Sequence, residues 1–61
     1  MNAELTWTQF GTAAFPIYSV CIDYTDEQGF LLEHLTKELA RFPSRMMAEK
    51  FISENQHSML D

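Results

Sequence analysis

Pro43 and Ser44 mark the clearest boundary between secondary-structure elements in the chain, because a proline ends one element and a serine can begin the next. The proline ring disfavours helical geometry at the residue before it, and the serine hydroxyl can accept a hydrogen bond from the first turn of a following helix. The residues beyond them recur at the spacing of one apolar helix face, with Met47, Ala48, Phe51 and Ile52 on that face. The sequence therefore predicts an amphipathic helix over about residues 45–57.

The chain is small and lacks the usual cross-links of small domains. Its 61 residues lie near the lower limit at which a chain buries enough apolar surface to fold alone. The composition is that of a globular protein, with 46% hydrophobic residues and only two glycines and two prolines. A single cysteine excludes an internal disulfide. We expect one small domain over residues 1–61, and its size favours a homodimer or a protein partner.

The chain is acidic, with nine acidic and four basic residues and a net charge of −5. This balance argues against simple nucleic-acid binding, since a basic face supplies most of the affinity for a phosphate backbone. The acidic residues are spread along the chain, which is typical of a solvated surface. Their densest region, residues 23–38, also suits docking on a basic protein surface.

The sequence predicts neither a membrane nor a secreted location. No apolar run approaches the roughly 18–20 residues of a membrane span. The amino terminus carries an acidic residue where a signal peptide would carry basic ones. A lone cysteine suits a reducing compartment. We expect a cytoplasmic protein.

Two segments of the amino-terminal half have the composition of strands. Residues 4–10 mix threonine with aromatic residues, and residues 17–24 form an alternating, β-branched and aromatic run. One face of the second segment is the better candidate for the core and carries Tyr18, Val20, Ile22 and Tyr24. Residues 25–29 follow as a turn, in which Gly29 can adopt positive φ.

Residues 30–42 allow more than one interpretation. Apolar residues at helical spacing favour a helix here, namely Leu31, Leu35, Leu39 and Phe42. The turn that ends at Gly29 favours instead a strand that returns along residues 17–24 as a hairpin. An extended start followed by a helix is a third arrangement. Periodicity makes the helix the preferred prediction.

These patterns together predict the α+β fold class. We expect a small single domain in which an N-terminal β-hairpin or short antiparallel sheet packs on one or two helices. The last of these elements is the C-terminal helix over about residues 45–57.

Residue types that carry chemistry are few. Cys21, Asp23 and His34 are the one set that suggests a nucleophile, an orienting carboxylate and a base. A cysteine within an apolar strand is more typical of core packing, and no glycine-rich oxyanion loop accompanies it. Neither histidine lies in a metal-ligand pair. We predict no catalytic, cofactor-binding or metal-binding residues and no enzymatic activity.

The segment around Pro43 holds the candidate binding residues. Two consecutive methionines of a helix cannot both point into one small core, and methionine suits adaptable binding surfaces. We expect a protein-binding surface drawn from Phe42, Met46, Met47 and Phe51, some of which also serve the core. An alternative is a basic ridge for nucleic acid, formed by Lys37, Arg41, Arg45 and Lys50.

One segment of the chain is similar to a known group of proteins. It covers residues 40–52, with the sequence Ala-Arg-Phe-Pro-Ser-Arg-Met-Met-Ala-Glu-Lys-Phe-Ile. This stretch resembles the carboxy-terminal part of small β-plus-α accessory proteins from the early regions of temperate lambda-like phages and prophages. In those proteins a strand is followed by phenylalanine, a turn and a helix. The resemblance implies a non-enzymatic protein that adjusts host or phage processes by binding, and it carries over no functional residue.

The sequence and the resemblance together lead to one functional hypothesis. We expect an accessory module that binds a host or phage protein through an apolar helix face rimmed by acidic residues. The alternatives are a nucleic-acid accessory protein that uses the basic ridge and a purely structural homodimer. We expect no cofactor and no membrane partner.

Overall fold

The computed structural model describes residues 1–60, with side chains described for residues 1–56, and shows a three-stranded sheet followed by one long helix. The strands are all antiparallel and stand in the order β1-β2-β3. The elements are β1 (Asn2–Gly11), β2 (Pro16–Thr25), β3 (Lys37–Phe42) and α1 (Arg45–Leu60), with a single 3₁₀ turn at Glu33–Leu35. The prediction of an α+β fold is confirmed.

Strands β1 and β2 form a regular ten-pair hairpin from Asn2 opposite Thr25 to Gly11 opposite Pro16. Gly11 has φ of 91° and lies so close to Phe15 that an added Cβ would meet its carbonyl oxygen at 2.6 Å. Only glycine fits such a position without strain. Both predicted strands are confirmed, and each is longer at its ends than the composition alone indicated.

The preferred prediction of a helix over residues 30–42 is wrong. The chain forms a loop with the 3₁₀ turn and then β3, which pairs with β2 through Val20 opposite Ala40 and Tyr18 opposite Phe42. The hairpin alternative is correct for residues 37–42. The backbone groups on the second side of β2 need hydrogen-bond partners, and β3 supplies them, which outweighs the helical spacing of the leucines.

The core lies between one face of the sheet and α1. Four apolar side chains are buried there, Leu5, Val20, Ile22 and Ala48, and Val20 and Ala48 are completely inaccessible to solvent. Leu5 and Ile22 are opposite one another in the hairpin, so β1 and β2 contribute to the same layer. The predicted core face of β2 is confirmed for Val20 and Ile22. A layer this small leaves the fold dependent on each of its members.

Helix α1 begins at Arg45, as predicted, and continues beyond residue 57 to Leu60. The hydroxyl of Ser44 accepts a hydrogen bond from the amide of Met47 at 3.2 Å, so the predicted N-cap is confirmed. Within residues 1–60, no helix has the length and apolar character needed to cross a membrane.

Replacing Ser44 with alanine is expected to lower the free energy of unfolding by about 1 kcal/mol, because the first turn of α1 loses its side-chain acceptor. Urea unfolding followed by circular dichroism measures the change. Ser44→Asp retains an acceptor at the same place and is expected to stay within about 0.5 kcal/mol of the original protein. Equal losses in both variants would contradict a capping role.

Candidate protein-binding groove

Two phenylalanines from different elements meet where β3 turns into α1. Phe42 is the last residue of β3, and the Pro43–Ser44 turn folds the helix back so that Phe51 comes alongside it. The ring centroids lie 5.5 Å apart with the planes tilted by 47°. This separation is in the range of a favourable aromatic pair. Both rings are half-buried, so the pair is part of the packing and part of the surface.

A shallow groove of about 300 Å³ opens beside this aromatic pair. Met47 forms one wall and is 47% exposed. The rim is formed by Lys50, Glu54 and Asn55. The Lys50 ammonium lies 3.9 Å from the Glu54 carboxylate, so the rim carries one charge of each sign where the sequence indicated an acidic rim.

Three of the four predicted protein-binding residues line this groove, and the fourth does not. Met46 precedes Met47 by one helical position, which turns it about 100° around the axis of α1. Its side chain is 81% exposed. The sequence predicts that the two methionines cannot both lie in the core, and in the structure both are exposed. Only Met47 lies beside the aromatic pair.

The four basic residues of the alternative ridge are distributed over several surfaces. Arg41 donates to Glu38 at 2.8 Å, and Arg45 donates to Glu49 at 2.8 Å. The guanidinium of Arg45 lies over the ring of Trp7 in β1, at 5.3 Å from its centroid. Lys50 lines the groove on the β3 side of the helix, and Lys37 is exposed at the start of β3. Strand β3 and the two flanks of α1 therefore separate these charges.

The residues considered for catalysis lie in different surroundings. The carboxylate of Asp23 accepts hydrogen bonds from the hydroxyls of Thr6 at 3.0 Å and Thr36 at 3.2 Å, tying β2 to its neighbours. Cys21 is a half-buried free thiol, and His34 lies in the exposed 3₁₀ turn. Over the residues whose side chains are described, no three His, Cys, Asp or Glu side chains converge as metal ligands would.

One acidic residue, Asp26, closes the turn that follows β2. The carboxylate of Asp26 accepts from the backbone amides of Gln28 at 2.9 Å and Phe30 at 3.0 Å. Gly29 completes the turn with φ of 88°. The predicted turn is confirmed. Asp26 and Asp23 are therefore engaged within the fold, which leaves less of the acidic region available for docking on a basic partner.

The sheet face turned away from α1 carries a hydrogen-bond network that the sequence did not reveal. The hydroxyl of Ser19, only 4% exposed, donates to Glu38. Arg41 donates to the other oxygen of the same carboxylate, and its guanidinium lies 5.4 Å from the centroid of the Phe10 ring. These contacts join all three strands. No local pattern indicates them, because the members are brought together by strand pairing alone.

This network makes the stability of the fold depend on pH. The hydrogen bond from Ser19 and, next, that from Arg41 lower the pKa of Glu38 from its ordinary value. A lowered pKa in the folded state means that the contribution is fully present above the ordinary glutamate pKa, about 4.3, and is lost as the pH falls through the lowered value. Glu38→Gln is therefore expected to flatten the loss of stability below about pH 4.3.

Urea midpoints measured between neutral pH and about pH 3 provide the test. Glu27→Gln makes the same charge change at an exposed position outside the network and serves as the control. Identical acid profiles for Glu38→Gln and the original protein would contradict the role given to this carboxylate.

Comparisons with known proteins do not extend this description. No protein-family model matches the chain, and searches of curated proteins and of solved structures likewise found no match.

Proposed function

We propose that the protein is a non-enzymatic module that binds a partner protein through the groove formed by Phe42, Met47 and Phe51. One observation carries this proposal: residues from the end of β3 and from α1 surround an apolar depression of about 300 Å³. That volume suits one or two large apolar side chains of a partner. Aromatic residues and methionine are also enriched at the centres of protein interfaces.

The composition of the groove suits a binding role better than a catalytic one. Met47 is unbranched and polarisable, so it can adjust its shape to an incoming apolar side chain. The paired charges of Lys50 and Glu54 at the rim favour a polar or oppositely charged flank on the partner and so fix orientation more than affinity. Among the side chains that the structure describes, those lining the groove include no nucleophile beside a base, as a hydrolytic site requires.

The proposal includes a cytoplasmic location and a role as a phage or prophage accessory factor that acts on a host or phage protein. Support for the accessory role comes from the resemblance of residues 40–52, and support for the location comes from the single cysteine. The nucleic-acid alternative has less support, because Arg41 and Arg45 are each paired with a carboxylate and lie on different surfaces.

Met47→Glu is expected to abolish partner binding, because it places a charge inside the apolar groove. An apolar side chain of the partner would then have to remove water from that charge without replacing its hydrogen bonds. Affinity capture from a bacterial lysate, with bound proteins quantified by mass spectrometry, measures the effect. At least a tenfold loss of the specifically bound proteins is expected.

Met46→Glu is the matched control for this experiment. It makes the same substitution at the neighbouring position, outside the groove and 81% exposed, and is expected to retain the bound proteins. Circular dichroism confirms that both variants fold. Proteins retained equally by Met47→Glu and by the original chain would overturn the assignment of the groove.

A further inference from the structure

Strand β1 is a long edge strand, and the backbone groups on its outer side are not paired with another strand of the described chain. The amide of Leu5 points away from β2, because it donates to the side chain of Gln56 at 2.9 Å. In an antiparallel ladder the N–H and C=O of a residue point to the same side, and the side alternates along the strand. The backbone groups of Ala3, Trp7 and Gln9 therefore also point outward, and no strand of the described chain pairs with them.

The opposite edge of the same sheet has features that discourage strand pairing, and β1 lacks them. Strand β3 has six residues, an irregularity in its pairing opposite Val20 and Cys21, and a lysine at its first position. Bulges, short length and lysine are the features that keep edge strands from pairing with other chains. Strand β1 has ten residues in continuous register, contains no proline or lysine, and carries one charge, Glu4. It is built as a strand that accepts a neighbour.

A second groove runs beside this edge, between β1 and α1. Its volume is about 510 Å³, and its apolar lining comes from Leu5, Trp7 and Ile52. Glu49 and Ser53 of the helix form its outer wall. A strand added to β1 on this side would cover the groove with its own side chains and would remove further apolar surface from water.

The shape of the single chain also indicates a missing layer. Its radius of gyration is 12.4 Å and its extents are 40 × 22 × 14 Å. A compact domain of this length has a radius of gyration of roughly 10.5 Å. Over residues 1–56, only four apolar side chains are buried, and the chain's single cysteine forms no disulfide. Small chains of this kind commonly gain their remaining stability by association.

We propose that two copies of this chain pair through β1, antiparallel and about a two-fold axis at Thr6, to form one six-stranded sheet. In this register Leu5 lies opposite the Trp7 of the second copy, and Ala3 lies opposite its Gln9. These outward-pointing pairs supply about eight backbone hydrogen bonds. Both helices then lie on the same face of the sheet, and the two β1–α1 grooves join into one apolar layer.

The charge on β1 is compatible with a second copy at this edge. The register centred on Thr6 pairs nine residues of β1 and places Glu4 opposite the Thr8 of the second copy. The two Glu4 side chains then lie about 14 Å apart along the strands, beyond the screening length at physiological salt. The cap from Gln56 satisfies Leu5 while the edge is unpaired, and it must rotate away when the second copy binds.

The interface is modest, so the dimer is expected to be reversible. A paired strand about 30 Å long, together with the covered groove, buries on the order of 1,000 Å² in total, which is the lower limit for a specific interface. We expect dissociation in the micromolar range. The Phe42–Met47–Phe51 groove lies beside β3, on the opposite flank, and remains open in each copy. The dimer is thus independent of the proposed function and would present two copies of that groove.

The first test removes an outward donor of β1. Gln9→Pro deletes that N–H and places the ring against the incoming strand, whereas an edge position tolerates proline within the single chain. Sedimentation velocity over a concentration series is expected to show a monomer–dimer equilibrium that Gln9→Pro weakens at least tenfold. Gln9→Ala keeps the donor and is the matched control, expected to dimerise as the original chain does.

The second test uses charge to examine the register in which the two β1 strands pair. Thr8→Glu places a like charge opposite the Glu4 of the second copy, and Thr8→Lys places an opposite one there. The dissociation constant is expected to rise about fivefold in the first variant and to fall about fivefold in the second, with both effects shrinking at high salt. Because both variants replace the same exposed side chain, opposite signs separate an effect of charge from the loss of the threonine side chain itself.

Hydrogen exchange of the unmodified chain completes the test without relying on any variant. The outward amides of Trp7 and Gln9 are expected to become protected as concentration rises, while that of Arg41, which points outward from β3, stays unprotected. A monomer at all concentrations up to about 1 mM, or a dimer that Gln9→Pro leaves intact, would overturn the proposal. The second result would assign self-association to another surface, such as the Phe42–Met47–Phe51 groove.

Discussion

Replacing Ile22 with alanine is expected to leave the chain largely unfolded at room temperature. Ile22 is 5% exposed and is one of four buried apolar side chains between the sheet and α1. Truncating such a residue costs about 2–5 kcal/mol, from lost transfer free energy and the cavity left behind. The single core of a chain this small rarely supplies more than about 3–5 kcal/mol in total. The expected loss is therefore comparable with the whole stability of the domain.

Urea and thermal unfolding followed by circular dichroism measure this loss, and all variants are compared at one protein concentration because association makes the transition concentration-dependent. Leu31→Ala is the control, since Leu31 is 49% exposed and its truncation is expected to change stability by no more than about 0.5 kcal/mol. If Ile22→Ala unfolded cooperatively with the same free energy of unfolding as the original protein, the stability of the fold would not depend on this layer.

Ala48→Asp is expected to be equally severe for a different reason. Ala48 is completely buried between α1 and the sheet, so a larger side chain is expected to displace the helix. A carboxylate placed there would also lose its hydration with no partner, at a cost of several kcal/mol. The expected result is loss of both the helical signal and the cooperative unfolding transition.

Met46→Asp is the matched control for this prediction. It introduces the same side chain two positions earlier in the same helix, at a site that faces solvent. An acidic residue in the first turn is compatible with the helix dipole, so the change is expected to be within about 0.5 kcal/mol of neutral. If Ala48→Asp also retained a cooperative transition, the helix would not be packed on the sheet as described.

The parts of the fold that sequence reasoning predicted correctly have local causes. The start of α1 follows from Pro43 and the capping hydroxyl of Ser44, and the capping hydrogen bond confirms it. Strands β1 and β2 follow from alternating side chains and a short turn that lets the chain fold back on itself. Each of these signals lies within about ten residues of the structure it produces.

Residues 30–42 show where local reasoning fails. The leucine spacing favours a helix, yet Leu31 and Leu35 remain exposed, and the segment from Lys37 pairs with β2 instead. Pairing satisfies a row of backbone groups on a strand that is distant in sequence, and it places Ala40 beside the buried Val20. Neither gain is visible within the segment itself.

The residues that line the candidate groove are recognisable in the sequence, but their arrangement is not. Phe42, Met47 and Phe51 were identifiable as apolar residues near a helix start, while their convergence required the Pro43–Ser44 turn to fold α1 against β3. Met46 was equally plausible by type and lies apart. The mixed charge of the rim likewise depends on which helix face meets β3.

By itself, the sequence determined the existence of the hairpin, the start of the helix and the α+β class, because capping, turn geometry and side-chain alternation act between neighbouring residues. Tertiary structure alone decided that residues 37–42 form a strand and that Ser19, Glu38 and Arg41 make a network. It also decided that no other strand of the described chain pairs with the outer side of β1. Those outcomes depend on which backbone groups of distant segments remain to be paired once the local elements have formed.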